Sequence, residues 1–312
     1  MSENNEKNVF EIRSKADGLM LSVMTILPKE KSSIKGIVQL VHGMCEYKER
    51  YTDFMEYLAD NGYACIIHDH RGHGHSIKAR EDLGYFYDGG WQGLVEDIHQ
   101  VLEYMKEHMG GNLPYYLLGH SMGSLAVRCF VKKYNSDIDK LFVVGCPSQM
   151  AGMQAGLALI KTIEKVKGPK AHSKVLDELV VNSHYEKKYA DEGIVHAWVN
   201  SDRASVEAYN ADPLCNYTFT VNGYENLVRM TMETYSGDNY RITNPKLMIR
   251  FLSGEGDPCG ISKKDIWEAM QCMKNAGFSN VRGKIYEGMR HEILNEPEHM
   301  KVYRDILYYM EN

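Results

Sequence analysis

A serine set between two glycines, Gly119-His120-Ser121-Met122-Gly123, is the part of this chain best suited to covalent chemistry. It follows the apolar run Tyr115-Tyr116-Leu117-Leu118 and precedes Ser124-Leu125-Ala126-Val127, so the spacing predicts a strand, a sharp turn and a helix. A serine on such a turn sits in strained backbone, and the residues two positions either side must be small, which Gly119 and Gly123 satisfy. Its oxygen is then held at a helix N-terminus, within reach of backbone N–H donors.

A serine hydroxyl is a weak nucleophile and needs an oriented base. In the order that this turn implies, an acid and then a histidine follow it. Among the 13 histidines, His291 stands out in Gly288-Met289-Arg290-His291-Glu292, after the last apolar run. Asp257, in Gly254-Glu255-Gly256-Asp257-Pro258, directly follows the run ending at Leu252. Glu255 is the weaker rival for the acid role. Both Asp257 and His291 are expected at the C-terminal edge of a parallel sheet, where such sites form. Each could equally be a turn or surface residue taken alone; the ordered trio argues for the chemical reading. Two N–H groups must hold a developing oxyanion. Met122, next to the serine, is one candidate, and Met44 in His42-Gly43-Met44-Cys45-Glu46 is the other, with Gly43 allowing close backbone approach.

The elements that must position these residues follow from hydrophobic patterning. Residues 9–27 read as two strands around a turn at Ala16-Asp17-Gly18. Apolar runs at Ile37–Val41, Tyr63–His68, Tyr115–Leu118, Leu141–Val144, Lys246–Leu252 and Val281–Tyr286 show little alternation, as in strands buried on both faces of a parallel sheet. Helical spacing appears in Tyr51, Phe54, Met55, Leu58 and Ala59, ended by Gly62, and in Leu94, Val95, Ile98, Val101, Leu102 and Met105. Ser262 is placed to cap a helix carrying Ile266, Trp267, Met270 and Met273, with Gly277 past its end. Pro297 opens a terminal helix with Met300, Tyr303, Ile306, Leu307 and Met310. From Pro147 to Thr243 no strand is needed. The expected organisation is therefore a catalytic domain of 1–146 and 244–312, an α/β mostly parallel sheet with helices on both faces, interrupted by a helical cap at 147–243.

Composition narrows the class. The chain has 312 residues, 44% of them hydrophobic, and a formal net charge of −6. That balance argues against nucleic-acid binding, which depends on Lys and Arg neutralising phosphates. The polar N-terminus has no apolar signal segment, no apolar run is long enough to span a bilayer, and the seven cysteines form no paired framework. A cytoplasmic location is expected; the oligomeric state is not legible.

Taken together these segments resemble the monoacylglycerol lipase and lysophospholipase-like family of α/β-hydrolases. The resemblance rests on Val41-His42-Gly43 with Glu46 and Tyr51, on Asp69-His70-Arg71-Gly72-His73-Gly74-His75-Ser76, on Leu118 to Gly123, on Gly256-Asp257 and on His291-Glu292. It implies the α/β-hydrolase fold and a triad of Ser121, Asp257 and His291. It also implies oxyanion donors at Met44 and Met122, no cofactor, and a helical cap that sets the substrate. The cap itself matches only loosely, around Trp198 to Pro213. Expected substrates are monoacylglycerols, lysophospholipids or simpler carboxylic esters. Acyl transfer, or an aminopeptidase using Glu207 and Asp212 to bind a free amine, needs the same triad. A non-enzymatic scaffold would be expected to lack a triad member, and an epoxide hydrolase or dehalogenase would carry Asp in place of Ser121.

Three further features invite a reading. His68, His70, His73 and His75 look like metal ligands, but the acidic partners such sites need are poorly placed and the run belongs to the Asp69–Ser76 loop, so no metal is expected. Cys45 departs from the small residue common in the oxyanion loop and reads as packing rather than a redox site. The Met-rich cap, with Met150, Met153, Leu157, Leu159 and Ile160 and then Val221, Tyr224, Leu227, Val228, Met230 and Met232, suits either an acyl pocket or packing of the cap on itself. Transient membrane-surface contact through this face is open, without a basic cluster to support it.

Overall fold

The computed structural model describes residues 5–110, 112–149, 151–179, 185–260 and 263–312. Met150 and Ser262, given roles above, lie outside the described residues. The described residues form a sheet of eight strands, β1 (Glu6–Arg13), β2 (Met20–Leu27), β3 (Gly36–Val41), β4 (Tyr63–His68), β5 (Tyr115–His120), β6 (Lys140–Val144), β7 (Met248–Gly254) and β8 (Asn280–Tyr286). Their order across the sheet is β1-β2-β4-β3-β5-β6-β7-β8. β1 and β2 form an antiparallel hairpin and β2 runs antiparallel to β4; every later pair is parallel. The central strands β3, β4, β5 and β7 are buried along their whole length, which is why their sequences are apolar without alternation. The edge strands β1 and β8 are largely exposed.

Helices cover both faces. On one face α2 (Gly90–Met109), α3 (Met122–Tyr134) and α7 (Lys263–Ala276) set Leu94, Ile98, Val127, Val131 and Met273 against Ile37, Leu117, Val143 and Ile249 of the sheet. On the other, α1 (Thr52–Asp60) and α8 (His299–Glu311) set Phe54, Leu58, Val302 and Ile306 against Val38, Leu118, Phe142 and Leu252. Gly62 ends α1 as the spacing predicts: its φ is +91° and its N–H reaches the Ala59 carbonyl at 3.0 Å.

Between β6 and β7 the described residues are helical, with one isolated bridge between His172 and Thr220. α4 (Met153–Lys167), α5 (Arg203–Ala211) and α6 (Val221–Tyr235) are the longer helices there. Asp202 and Thr220 cap α5 and α6 by accepting from Ser205 N at 3.0 Å and Gly223 N at 3.1 Å. α6 packs on α2, α3 and α4. Ile160, Leu176, Phe219, Val221 and Tyr224 thereby join the same apolar cluster as the sheet face.

Candidate active site

Ser121 sits between β5 and α3 with φ +52° and ψ −119°, a conformation that non-glycine residues rarely adopt. The turn is fixed from both sides. Ser121 N donates to Val144 O at 2.9 Å, and its carbonyl accepts from Ser124 N at 2.9 Å and Ser124 Oγ at 2.6 Å. A Cβ on Gly119 would collide with the Gly123 carbonyl, and one on Gly123 with the Val41 and His42 carbonyls. The two glycines are thus needed for close packing of the turn against itself and against the end of β3. Gly43 does the same for the loop after β3: a Cβ there would stand 2.9 Å from Ser121 Cβ.

Asp257 and His291 meet beyond the C-terminal ends of β7 and β8. His291 Nδ1 donates to Asp257 Oδ2 at 3.0 Å. Asp257 Oδ1 accepts from Cys259 N at 2.8 Å, and Ser253 Oγ approaches Oδ2 at 3.3 Å. Burial opposes a charge on Asp257, but the His291 imidazole and these donors outweigh it and hold its pKa below the usual carboxylate value. Of the two acids considered, Asp257 is the one at His291; Glu255 is exposed. The other ring nitrogen, His291 Nε2, has Cys259 Sγ at 4.0 Å. Ser121, His291, Met44 and Met122 all line one cavity of about 360 Å³. Met122 begins α3, so its N–H is one of the helix's unpaired terminal donors.

The cavity is lined by apolar Leu125, Met153, Leu227 and Val228 and by the aromatic Trp198, Tyr209 and Tyr217. Met153, Leu227 and Val228 are therefore the members of the Met-rich run that face the site. Ile160, Val221, Tyr224 and Met230 are buried in the core, and Leu159 is exposed. Cys45 is buried, with Sγ 3.1 Å from Tyr217 O, and burial pushes its thiol pKa well above the ordinary value, as a packing role requires. Its φ is +53°, so the loop holding Met44 is itself strained.

Sequence reasoning missed the ionic assembly beneath this site. Glu46 Oε1 accepts from the Gly43 N–H, from His120 Nδ1 at 2.8 Å and from Tyr51 OH at 3.0 Å. Arg50 bridges Glu46 at 3.3 Å to Glu292, which it grips through two contacts of 2.5 and 2.7 Å. His120 Nε2 lies 3.4 Å from the His291 carbonyl. Burial disfavours the charged imidazole of His120, but Glu46 overcomes it and raises the pKa. The assembly ties the Met44 loop, the residue before Ser121 and the His291 loop to one another. The only sequence signal was the presence of Glu46 and Glu292 in the quoted segments.

The histidine run does not converge as ligands. His42, His68, His70 and His73 are fully buried and packed ring against ring, His42 and His70 at 4.0 Å between centroids and His68 and His70 at 5.0 Å. His75 points elsewhere, beside Glu49 and Asp69, and there the Lys48 ammonium already occupies the centre, 2.9 Å from each carboxylate and 3.3 Å from His75 Nδ1. Asp69 and Arg71 serve the loop: Asp69 accepts from Lys48 N and His75 N at 2.8 Å, and Arg71 pairs with Asp97 at 2.7 Å and Asp17 at 2.6 Å.

Residues 32–298 match the family model described as "Serine aminopeptidase, S33". The chain belongs to this family. It is similar to the monoacylglycerol lipase of Mycolicibacterium smegmatis, with 25% identity over 87% of this chain and 86% of that protein. It is also similar to the phospholipase YtpA of Bacillus subtilis, with 24% identity over 86% and 92%. Among solved structures, a thermostable carboxyl esterase from Bacillus coagulans superposes with a TM-score of 0.89 at 23% identity, over 98% of both chains. A monoglyceride lipase from Saccharomyces cerevisiae does so with 0.72 at 18% identity, over 99% of this chain and 96% of that one. The architecture described above is the α/β-hydrolase fold.

Proposed function

We propose that this α/β-hydrolase cleaves carboxylic esters of single acyl chains, monoacylglycerol- or lysophospholipid-like, through an acyl-enzyme on Ser121. One observation carries the reading: Ser121 and His291, the latter held from behind by Asp257, open onto a single, largely apolar cavity. At about 360 Å³ it lies at the small end for ligand pockets, which favours one chain over two. The names borne by the relatives, monoacylglycerol lipase and phospholipase, point the same way.

In this mechanism His291 takes the Ser121 proton as the oxygen attacks the ester carbonyl. Asp257 orients the ring and stabilises the imidazolium, and the N–H groups of Met44 and Met122 receive the oxyanion. His291 then protonates the leaving alcohol and activates water for deacylation. Residues 147–243 act as the cap that shapes the acyl pocket.

An ester is favoured over a peptide with a free amine because the acids of the cavity are engaged. Glu46 and Glu292 pair with Arg50, and Asp177 accepts from Tyr224 OH. Glu207 pairs with Arg203 at 2.9 Å, and Asp212 accepts from Tyr47 OH at 2.7 Å; neither lines the cavity. No helix among the described residues is long and apolar enough to cross a membrane. All seven cysteines are free, which supports a reducing, cytoplasmic setting. The cap exposes the apolar side chains of Leu159, Val166, Val175 and Leu179, which supports transient contact with a lipid surface even without a basic cluster.

The test is the rate of 4-nitrophenyl ester hydrolysis against acyl-chain length, with Ser121→Ala alongside. A serine-dependent rate rising toward longer chains is expected. A rate confined to acetate and propionate esters would discard the lipid reading, and undiminished activity in Ser121→Ala would discard the mechanism.

A further inference from the structure

Arg128, on α3, is fully buried at 0% exposure, yet among the described residues no carboxylate pairs with it. Its Nε and Nη2 have no protein hydrogen-bond partner. Its Nη1 points at Cys146 Sγ, 3.1 Å away, in the loop after β6. The Tyr235 ring lies against the guanidinium at 4.3 Å and the Phe251 ring at 5.8 Å. Lys132, one turn further along α3, is matched by Glu233 at 2.8 Å, so that carboxylate already has its cation.

A guanidinium stays protonated at any ordinary pH, and a buried charge without a counter-charge is costly. Three groups around Arg128 could become anionic. Tyr235 uses its hydroxyl proton to donate to the Pro147 carbonyl at 2.7 Å, and Tyr240 directs its own at Met273 Sδ. Both phenols ionise only near pH 10 or above, against about 8.5 for a thiol. Of the three, Cys146 is the one that Arg128 Nη1 addresses directly; its Sγ also lies 3.6 Å from the Pro147 carbonyl and 3.8 Å from the Tyr235 hydroxyl. We propose that Arg128 holds Cys146 as a thiolate, and that Cys146 is this chain's site of modification by small electrophiles such as a peroxide.

The chemistry is that of a thiolate. Cys146 sulfur attacks one oxygen of hydrogen peroxide, an S–O bond forms, the O–O bond breaks and hydroxide leaves. The sulfur is oxidised to a sulfenic acid and the peroxide is reduced. Cys146 is only 4% exposed and does not itself line the catalytic cavity, although Pro147 and Ser148, the next two residues, do; a small reagent reaches it only when that wall moves. On the other side Gly145 packs against the rings of His291 and His120. The remaining buried thiols lie in surroundings that favour the neutral form: burial pushes Cys45, Cys65, Cys215 and Cys259 up, and Cys129 to about 11.

The test compares the ultraviolet thiolate absorbance of the native protein with that of Cys146→Ser and Arg128→Met between pH 6 and 8. An ordinary thiol at pH 6 is about 0.3% ionised, so a full thiolate's worth of signal in the wild type, absent in both variants, is the expected result. Equal absorbance in wild type and Cys146→Ser across the range would overturn the proposal. Should either variant fold poorly, Cys146→Asp, which supplies a fixed negative charge, is expected to melt close to wild type, and Cys146→Val well below it. Cys146→Val melting as high as Cys146→Asp would overturn the ion pair. Brief treatment with hydrogen peroxide should add one oxygen at Cys146 before the half-exposed Cys272; the reverse order, read by peptide mass, would overturn the modification site.

Discussion

Lowering the pH from 6.5 to 5 should destabilise this protein by about 4 kcal/mol through two histidines remote from catalysis. Burial pushes His68 and His73 down to about 3, whereas in the unfolded chain each titrates near 6.5. Above pH 6.5 both states leave these rings neutral and stability is complete. Below it the unfolded chain takes up protons that the folded chain refuses, so stability falls as pH drops and keeps falling until about pH 3. Each such ring contributes about 1.4 kcal/mol per pH unit, hence about 2 kcal/mol at pH 5. His42 and His70, also lowered by burial, act with the same sign. His120 does not offset the loss, because its raised pKa makes its contribution complete below 6.5. The lowered carboxylates, Glu46, Asp69 and Asp257, lose their contribution only below about pH 4.5, so the window from 6.5 to 5 belongs to the histidines. The assay is urea unfolding at half-unit pH steps. His68→Leu should lower the slope by about 1.4 kcal/mol per pH unit. A wild-type slope below one proton's worth, or no change in His68→Leu, would refute the reasoning.

Ser121→Ala should cut ester turnover by on the order of 10⁴-fold or more, and Asp257→Asn by about 10⁴-fold, both with a wild-type melting profile. Glu46→Ala removes the counter-charge of buried His120 and Arg50 and should cost about 3–5 kcal/mol in denaturant unfolding. A cost below 1 kcal/mol would mean that the assembly is not ionic. Gly123→Ala forces a methyl group into the Val41 and His42 carbonyls; it should destabilise by about 1–3 kcal/mol or more and abolish turnover, read by thermal melting and the ester assay.

The strained turn at Ser121 was legible because its geometry is local: a strand, a five-residue turn and a helix adjoin in the sequence. Asp257 and His291 were legible at one remove, as the polar residues that follow the last two apolar strands. The Glu46–Arg50–Glu292 assembly was not, since its closing contact joins residues 242 positions apart and only the crossing of β3, β5 and β8 brings them together. Composition alone makes the histidine run look like a ligand set, and it was its place in the Asp69–Ser76 loop that argued otherwise. Only His68 lies on β4; the Asp69–Ser76 loop stacks His70 and His73 near it and turns His75 away toward Glu49 and Asp69. Nor could periodicity divide the Met-rich helices, because Met153 and Met230 occupy equivalent apolar stripes and only tertiary packing turns the first toward the cavity.

Residues 147–243 are not all tied to the His291 loop in the same way. Its segment from Ala197 to Ser201 is stitched to the histidine loop: the Trp198 carbonyl accepts from His291 N at 3.4 Å and the Val199 carbonyl from Glu292 N at 2.9 Å. Asn200 donates to Asn295 O at 2.9 Å, and Ser201 N reaches Glu296 at 3.0 Å. α4 has no such ties to that loop, and of its residues only Ile160 is fully buried. A laboratory or a lineage that exchanges α4 alters what enters the pocket and leaves His291 where it stands. One that exchanges the stretch around Trp198 disturbs the backbone that holds His291, so what enters the pocket and how His291 is held are separable along residues 147–243.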